Sequence, residues 1–313
     1  MRVVVNILLL LFIAGAVLVA WAYEPDRSPE ALAERYRVTG SAFPEIGGMN
    51  AHIAVEGEGP VLVLLHGTGA SLHTWNGWVE ELAGEFRMVR MDLPGFGLTG
   101  PHPDSEYSID AYVRFVDAVA DQLGLGRFHL AGNSLGGRIA WNYAAAHPER
   151  VERLILIDAS GYRVRRSPSL VFQLAALPGI GDVLAKLTPR SLYRRSLEEV
   201  YADDKLVDEE LVQRYFELSL REGNREAFVQ RVRSASAAGR EDPAAALGRI
   251  GAATLVQWGG RDEWIPVEHG RRFAADIPDA RLVVYDDLGH VPMEEAPART
   301  ARDARAFLRG NEP

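Results

Sequence analysis

The chain has no cysteine, which excludes disulfide bonds and thiol catalysis and leaves either side of a membrane open to it. It also has no excess of positive charge. Lys and Arg number 34 against 43 Asp and Glu, a net charge of −9, so neither nucleic-acid binding nor adhesion to anionic lipid is expected. Internal repeats and low-complexity tracts are absent. Eight histidines are present, but none stands with carboxylates at metal-ligand spacing, so no metal and no cofactor is expected. What remains is an ordinary globular composition, 47% hydrophobic and 25% charged over 313 residues, long enough to bury one large core.

The N-terminus departs from that composition. Val3 to Tyr23 is apolar except for Asn6 and carries no charge. As a helix it would reach about 31 Å, close to the roughly 30 Å of a bilayer's hydrocarbon core. Arg2 precedes it and Glu24, Asp26 and Glu30 follow, a bias that places the N-terminus inside and the rest of the chain outside the cytoplasm. Residues 1–24 are therefore read as one transmembrane helix anchoring the rest of the chain, which would be periplasmic in a bacterium. The alternative is a signal peptide cleaved after Ala20-Trp21-Ala22, giving a secreted protein.

Most of the chemistry is announced by Leu130-Ala-Gly132-Asn-Ser134-Leu-Gly136-Gly137. An apolar strand pattern runs into Gly-x-Ser-x-Gly and a helical pattern follows at once, the context of a nucleophile elbow. Ser134 is the candidate nucleophile. Leu135, at the helix N-terminus, offers a backbone N–H to a developing oxyanion. A serine hydroxyl needs a base, and the base an orienting acid. Arg281 to Tyr285 reads as a strand and leads to Gly289-His290, which supplies the base. Thr254 to Trp258 reads as another and leads to Gly259-Gly-Arg-Asp262, which supplies the acid. Asp158, after the strand Leu154 to Ile157, is the other candidate acid. Val61 to Leu65 ends in His66-Gly67-Thr68-Gly69, making the Thr68 N–H the second oxyanion donor. His66 and Asp92 are read as residues that fix loops through backbone hydrogen bonds. The remaining histidines are read as structural or surface groups.

With these pieces in order, the chain resembles the α/β-hydrolase superfamily from about residue 40 onward. The matching segments are His66-Gly67, Asp92-Leu-Pro-Gly-Phe-Gly97, the elbow, Gly259-Gly-Arg-Asp262 and Gly289-His290. Within it the chain is similar to the capped serine esterases and carbon–carbon hydrolases. Serine rather than aspartate at the elbow argues against dehalogenase and epoxide hydrolase chemistry. The resemblance implies an α/β fold: a mostly parallel eight-stranded sheet with helices on both faces and an inserted helical cap. The expected domains are core residues 25–161, cap residues 162–245 and core residues 246–313. Strands are expected near 42–46, 50–55, 61–65, 87–91, 127–132, 153–158, 253–258 and 281–285, the first two forming an antiparallel entry. Helices are expected over Ile109 to Leu123, opened by Ser108, and over Leu135 to Ala146. In the cap, Val207, Leu211, Tyr215 and Leu218 recur at helical spacing, and Gly223-Asn224 closes one helix and caps the next. Ser169 to Leu177 is its most apolar stretch, suited to a substrate pocket or a bilayer. Arg163, Arg165 and Arg166 form a basic face that can also receive a substrate carboxylate.

The function expected is hydrolysis of carboxylic esters of small or medium apolar molecules through an acyl-enzyme, with no cofactor. Carbon–carbon hydrolysis of ring-fission diketones is the main alternative, against which Val291-Pro292 stands where those enzymes usually place tryptophan. A cofactor-free perhydrolase or haloperoxidase is another. A membrane-attached binding protein on the same fold is the non-enzymatic one, disfavoured by the complete Ser, His and Asp set. Nothing in the sequence specifies an oligomeric state.

Overall fold

A computed structural model describes residues 6, 9, 22–164, 170–237 and 242–311. Its strands are β1 (Ser41–Ala42), β2 (Glu45–Ile46), β3 (Met49–Asn50), β4 (Ile53–Glu56), β5 (Val61–Leu65), β6 (Arg87–Met91), β7 (Phe128–Asn133), β8 (Val151–Ile157), β9 (Ala253–Gly259) and β10 (Ala280–Tyr285). Eight of them form one sheet in the order β1-β4-β6-β5-β7-β8-β9-β10. The β1–β4 and β4–β6 pairings are antiparallel and the others parallel.

Alternation along β5 shows how the sheet is buried on both faces. Val63 and Leu65 point into one core, with Tyr112, Val116 and Val119 of the helix Ile109–Gln122 and Ile139 and Tyr143 of the helix Leu135–Ala146. Leu62 and Leu64 point into the other, with Trp75, Trp78, Leu82 and the C-terminal helix Pro297–Leu308. Strands covered on both sides read as continuous apolar runs, as Val61 to Leu65 does. The helix over Ile109–Gln122 opens on Ser108, whose Oγ accepts the Ala111 N–H at 3.2 Å, the capping expected of serine.

The entry differs from the expected pair of strands. Pro44 offers no N–H, so the first run splits into β1 and β2. Gly47 and Gly48, at φ +58° and +77°, then turn β2 onto β3 as a separate two-stranded hairpin. Two successive left-handed residues are what a two-residue hairpin loop needs.

Between β8 and β9 the chain inserts helices over Leu170–Ala176, Ile180–Leu184, Arg190–Val200, Glu209–Ser219 and Asn224–Ala237. Leu197, Tyr201, Val207, Leu211 and Val212 pack with Val291 and Met293 beyond His290. Asn224 starts its helix as expected, but its side chain reaches outward: Nδ2 donates to the carbonyls of Leu218 (2.8 Å) and Gly97 (3.0 Å). The segment before β1 is fastened to these helices as well. Arg27 N–H donates to Leu220 O and Glu222 N–H to Arg27 O at 2.7 and 3.0 Å. Glu217, 2% exposed, accepts from Arg27, Arg35 and Tyr36. Among the described residues no helix is long and apolar enough to cross a membrane. The segment expected to span one, Val3 to Tyr23, lies almost wholly outside the described residues.

The loops over the parallel sheet hang on Asp92, which is fully buried. Its Oδ1 accepts the Leu72 N–H at 2.7 Å and its Oδ2 the Leu98 N–H at 2.8 Å. His52 Nδ1 meets Oδ2 at 2.7 Å and His52 Nε2 meets Ser41 Oγ at 2.8 Å. Burial raises the Asp92 pKa, but the charge and hydrogen bond of His52 outweigh it and hold the carboxyl well below the ordinary range. Asp92→Ala should lower stability in urea titration by about 3–5 kcal/mol, the usual cost of leaving a buried partner set unpaired. Because the native pKa is depressed, the wild-type advantage should shrink as pH falls below the unfolded carboxylate value of about 3.9.

Candidate active site

β7 ends at Asn133 and the next helix begins at Leu135, leaving Ser134 as the whole turn. Its backbone sits at φ +53°, ψ −111°, a strained region for a residue with a side chain. The close packing around it explains why. A Cβ on Gly132 would lie 2.3 Å from Gly136 O, and one on Gly136 would lie 2.1 Å from Leu65 O. Only glycine fits at either position, and the side chain between them is pushed up from the sheet. Leu135 follows at the helix N-terminus, as the sequence places it. A Cβ on Gly67 would lie 3.2 Å from Ser134 Cβ, so the loop carrying Thr68 passes directly beside the serine.

His66 holds that loop. Its Nε2 accepts the Leu93 N–H at 3.0 Å, which leaves Nδ1 to donate to Gly67 O at 2.7 Å. Burial pushes this imidazole's pKa down, in keeping with a neutral ring bridging two backbone segments. The loop-fixing reading of His66 and Asp92 thus has a direct geometric basis.

His290 follows β10 and Asp262 follows β9. His290 Nδ1 and Asp262 Oδ2 are 2.7 Å apart and both residues are buried. Asp262 Oδ1 accepts the N–H groups of Trp264 (2.7 Å) and Ile265 (2.9 Å), which fixes the carboxylate's direction. Between the two candidate acids, the structure hydrogen-bonds Asp262 to the imidazole. Asp158 is nonetheless close: one oxygen from each carboxyl and a His290 ring nitrogen all lie within 4.8 Å of one another. Asp158 Oδ1 accepts the Gly259 N–H at 2.9 Å. Burial, then the Asp262 charge, pushes its pKa well above the ordinary range. Two carboxylates at this distance in a buried site do not both ionise readily, and the upward shift falls on Asp158.

Several contacts of the site had no recognisable signal in the sequence. Asn133 Nδ2 donates to His290 O (3.0 Å) and Ile157 O (3.2 Å), tying the histidine loop to the elbow. His290 N–H donates to Val200 O at 2.7 Å. Glu295 accepts the Gly289 and Ala202 N–H groups at 2.8 Å each, so the loop is also fastened to the inserted helices. Glu294 accepts Thr74 Oγ1 from the core and Tyr215 OH from an inserted helix, at 2.8 and 2.9 Å. The acidic pair after the histidine is visible in the sequence, but not the backbone it reaches.

An aromatic band borders the site. Trp264 lies 5.6 Å from His290 and 5.9 Å from Phe172 between ring centroids, and Phe172 lies 5.4 Å from Phe228. Phe96 stands edge-on to His66 at 5.5 Å. Arg163 is exposed; Arg165, Arg166 and Ser169 lie outside the described residues. Of the apolar stretch up to Leu177, Ala175 is buried while Leu177 is 46% exposed.

This sheet order, elbow and His–Asp pair define an α/β hydrolase. A family model described as the alpha/beta hydrolase fold matches residues 60–297, and the chain belongs to that family. It is 31% identical over 278 residues to a 2-hydroxymuconate semialdehyde hydrolase of Pseudomonas sp. strain CF600, covering 85% of this chain and 94% of that one. To a 2-hydroxy-6-oxo-6-phenylhexa-2,4-dienoate hydrolase of Comamonas testosteroni it is 32% identical, over 82% and 91% of the two chains. Among solved structures, a variant of a meta-cleavage product hydrolase from Pseudomonas fluorescens IP01 superposes with TM-score 0.74 and 26% identity, over 86% of this chain and 97% of that one. A membrane phospholipase A, described as a bacterial virulence factor, superposes with TM-score 0.72 and 27% identity, over 99% and 98%.

A carboxyl that keeps its proton only in the folded state costs stability as pH rises from its unfolded pKa, about 3.9, towards its folded one. Asp158→Asn removes that dependence. The Tm of Asp158→Asn relative to wild type should therefore rise as the pH is raised from about 4, read by thermal melts. A difference that stays flat across that range would mean that Asp158 ionises normally in the folded protein.

Proposed function

We propose that this chain is a serine hydrolase that cleaves carboxylic esters with apolar acyl groups at a membrane, the catalytic part lying outside the cytoplasm. His290, oriented by Asp262, takes the proton of Ser134 as Oγ attacks the ester carbonyl. The N–H groups of Thr68 and Leu135 receive the oxyanion; losing one such donor costs about 2.7–4 kcal/mol of transition-state stabilisation. His290 then protonates the leaving alcohol and activates the water that releases the acid, so no cofactor enters. The inserted helices act as the cap.

The observation that carries the ester reading is the extent of the likeness. The membrane phospholipase A matches 99% of this chain, whereas the meta-cleavage product hydrolase matches 86%. The phospholipase is matched almost end to end, and the sequence of this chain carries an uncharged run from Val3 to Tyr23. That run is read as the anchor on the sequence alone, with a cleaved signal as the alternative. Exposed Tyr23, Ile180 and Val183 lie where the run meets the inserted helices, through the bridge Tyr23–Leu187, and support a lipid-facing side.

Carbon–carbon hydrolysis is the second reading, favoured by the two relatives above 30% identity. The full chain in detergent, assayed on p-nitrophenyl esters from acetate to laurate and on a 2-hydroxy-6-oxo-dienoate, separates the two. The ester reading expects turnover with a chain-length optimum, lowered by about 10⁴-fold or more in Ser134→Ala and in His290→Ala. Serine-dependent cleavage of the dienoate with inert esters would replace it by the second reading.

A further inference from the structure

Three arginines are buried among the described residues: Arg90, Arg225 and Arg231, at 2%, 5% and 8% exposure. Arg90 is paired with Glu56 and Arg225 with Asp26. Arg231 has no carboxylate partner among the described residues, and its Nε and Nη2 are sealed from solvent without an acceptor. Its guanidinium lies over two aromatic rings instead, 5.6 Å from the centroids of both Phe96 and Phe228. Burial lowers its pKa, and the one titratable neighbour opposing this is Tyr112, whose hydroxyl already donates to Pro94 O at 3.1 Å.

Such an arrangement is unfavourable for folding alone. Aromatic faces attract a guanidinium but do not accept its hydrogen bonds, and a buried charge without a counter-charge destabilises the fold around it. Its position suggests what it serves. Phe96 leads to His66 and the oxyanion loop, while Phe228 leads through Phe172 and Trp264 to His290. Arg231 sits on an inserted helix where these two arms of the aromatic band meet.

We infer that Arg231 receives an anionic group of the substrate, a carboxylate or a phosphate, held at the far end of the aromatic band from Ser134. The inference rests on the ester reading for its substrate and narrows it to esters that carry an acidic group. A planar fork of N–H donors between apolar walls suits a bidentate oxyanion. The bound anion supplies the counter-charge that the fold itself leaves out.

Two sets of measurements test this on the full chain. In the first, kcat/KM is compared for matched pairs differing in one charge: the p-nitrophenyl monoester of suberate against p-nitrophenyl octanoate, and dioctanoyl phosphatidic acid against dioctanoylglycerol. Arg231→Met keeps a stem over the two rings and removes the charge. It should lower the charged-to-neutral ratio by about 30-fold or more in the pair that matches the natural group, mainly through KM, and Arg231→Lys should restore part of it. In the second, thermal melts are run with suberate and with octyl phosphate. Either ligand should raise the Tm of Ser134→Ala, suberate alone marking a carboxylate and octyl phosphate alone a phosphate, and neither should raise that of Arg231→Met. Without ligand, Arg231→Met should melt at or above wild type, whereas loss of a purely structural arginine would lower the Tm. An unchanged ratio, or equal protection of both variants, would overturn the inference. If the wild type cleaves none of these esters but Arg231-dependent protection is seen, the ester reading fails and the anion site stands.

Discussion

The tight contact between β5, β7 and the helix after Ser134 is the constraint on which the site depends. Gly136 lies so close to Leu65 O, and Gly132 to Gly136 O, that no Cβ fits between them. That packing forces Ser134 to φ +53°, a conformation costing on the order of 1–3 kcal/mol. It persists because the sheet register on both sides is fixed: Leu65 pairs with Gly132 across β5 and β7, and Asn133 with Ile157 across β7 and β8. The same approach brings the loop after β5 against the serine. One steric condition therefore positions the nucleophile and both candidate oxyanion donors.

The acid and base depend on the next two strands and on how charge is distributed behind them. Asp158, Asp262 and His290 crowd one buried spot, where burial and the neighbouring carboxylate push the Asp158 pKa up and the hydrogen bond to the imidazole falls to Asp262. Asp262 then has three N–H groups on its two oxygens, those of Trp264, Ile265 and His290. A carboxylate held this way cannot rotate from the ring, which is what orientation of a general base requires.

The sequence shows those parts of the fold that are set by local sterics and periodicity. Gly132, Gly136 and the apolar strand before them locate the elbow, because a close approach of backbones leaves a glycine signature. The runs ending at Leu65, Trp258 and Tyr285 mark strands, and the groups just beyond them fall at the carboxyl edge of a parallel sheet. The sequence favours Asp262 over Asp158 as the acid, but both follow strands and only the fold shows which one bonds His290. The antiparallel pairing of the two entry runs is legible, but their split into the β1–β4 pair and a separate β2–β3 hairpin is not, because it depends on Pro44 and the pair Gly47-Gly48 interrupting those runs. Asn133, Glu294 and Glu295 were unreadable in their roles for another reason. Asn133 reaches His290 across 157 positions, Glu295 reaches Ala202 across 93 and Glu294 reaches Tyr215 across 79, and no local pattern encodes a contact at that distance.

Those distant contacts separate chemistry from selectivity. The sheet supplies Ser134, Asp262 and His290 at the carboxyl ends of its strands, so likeness in the sheet identifies a hydrolase and leaves the bond cleaved and the substrate open. The inserted helices contribute Phe172, Phe228 and Arg231 to the site's border, and they also hold the base: Val200 O accepts the His290 N–H, and Glu295 links Gly289 to Ala202. A displacement of these helices therefore reaches the imidazole through main-chain hydrogen bonds. The border and the base thus hang on the same helices, an arrangement through which remote substrate contacts would act on turnover as well as on affinity. The N-terminal segment extends the same coupling outward, since Arg27, Arg35 and Tyr36 converge on the buried Glu217 of an inserted helix.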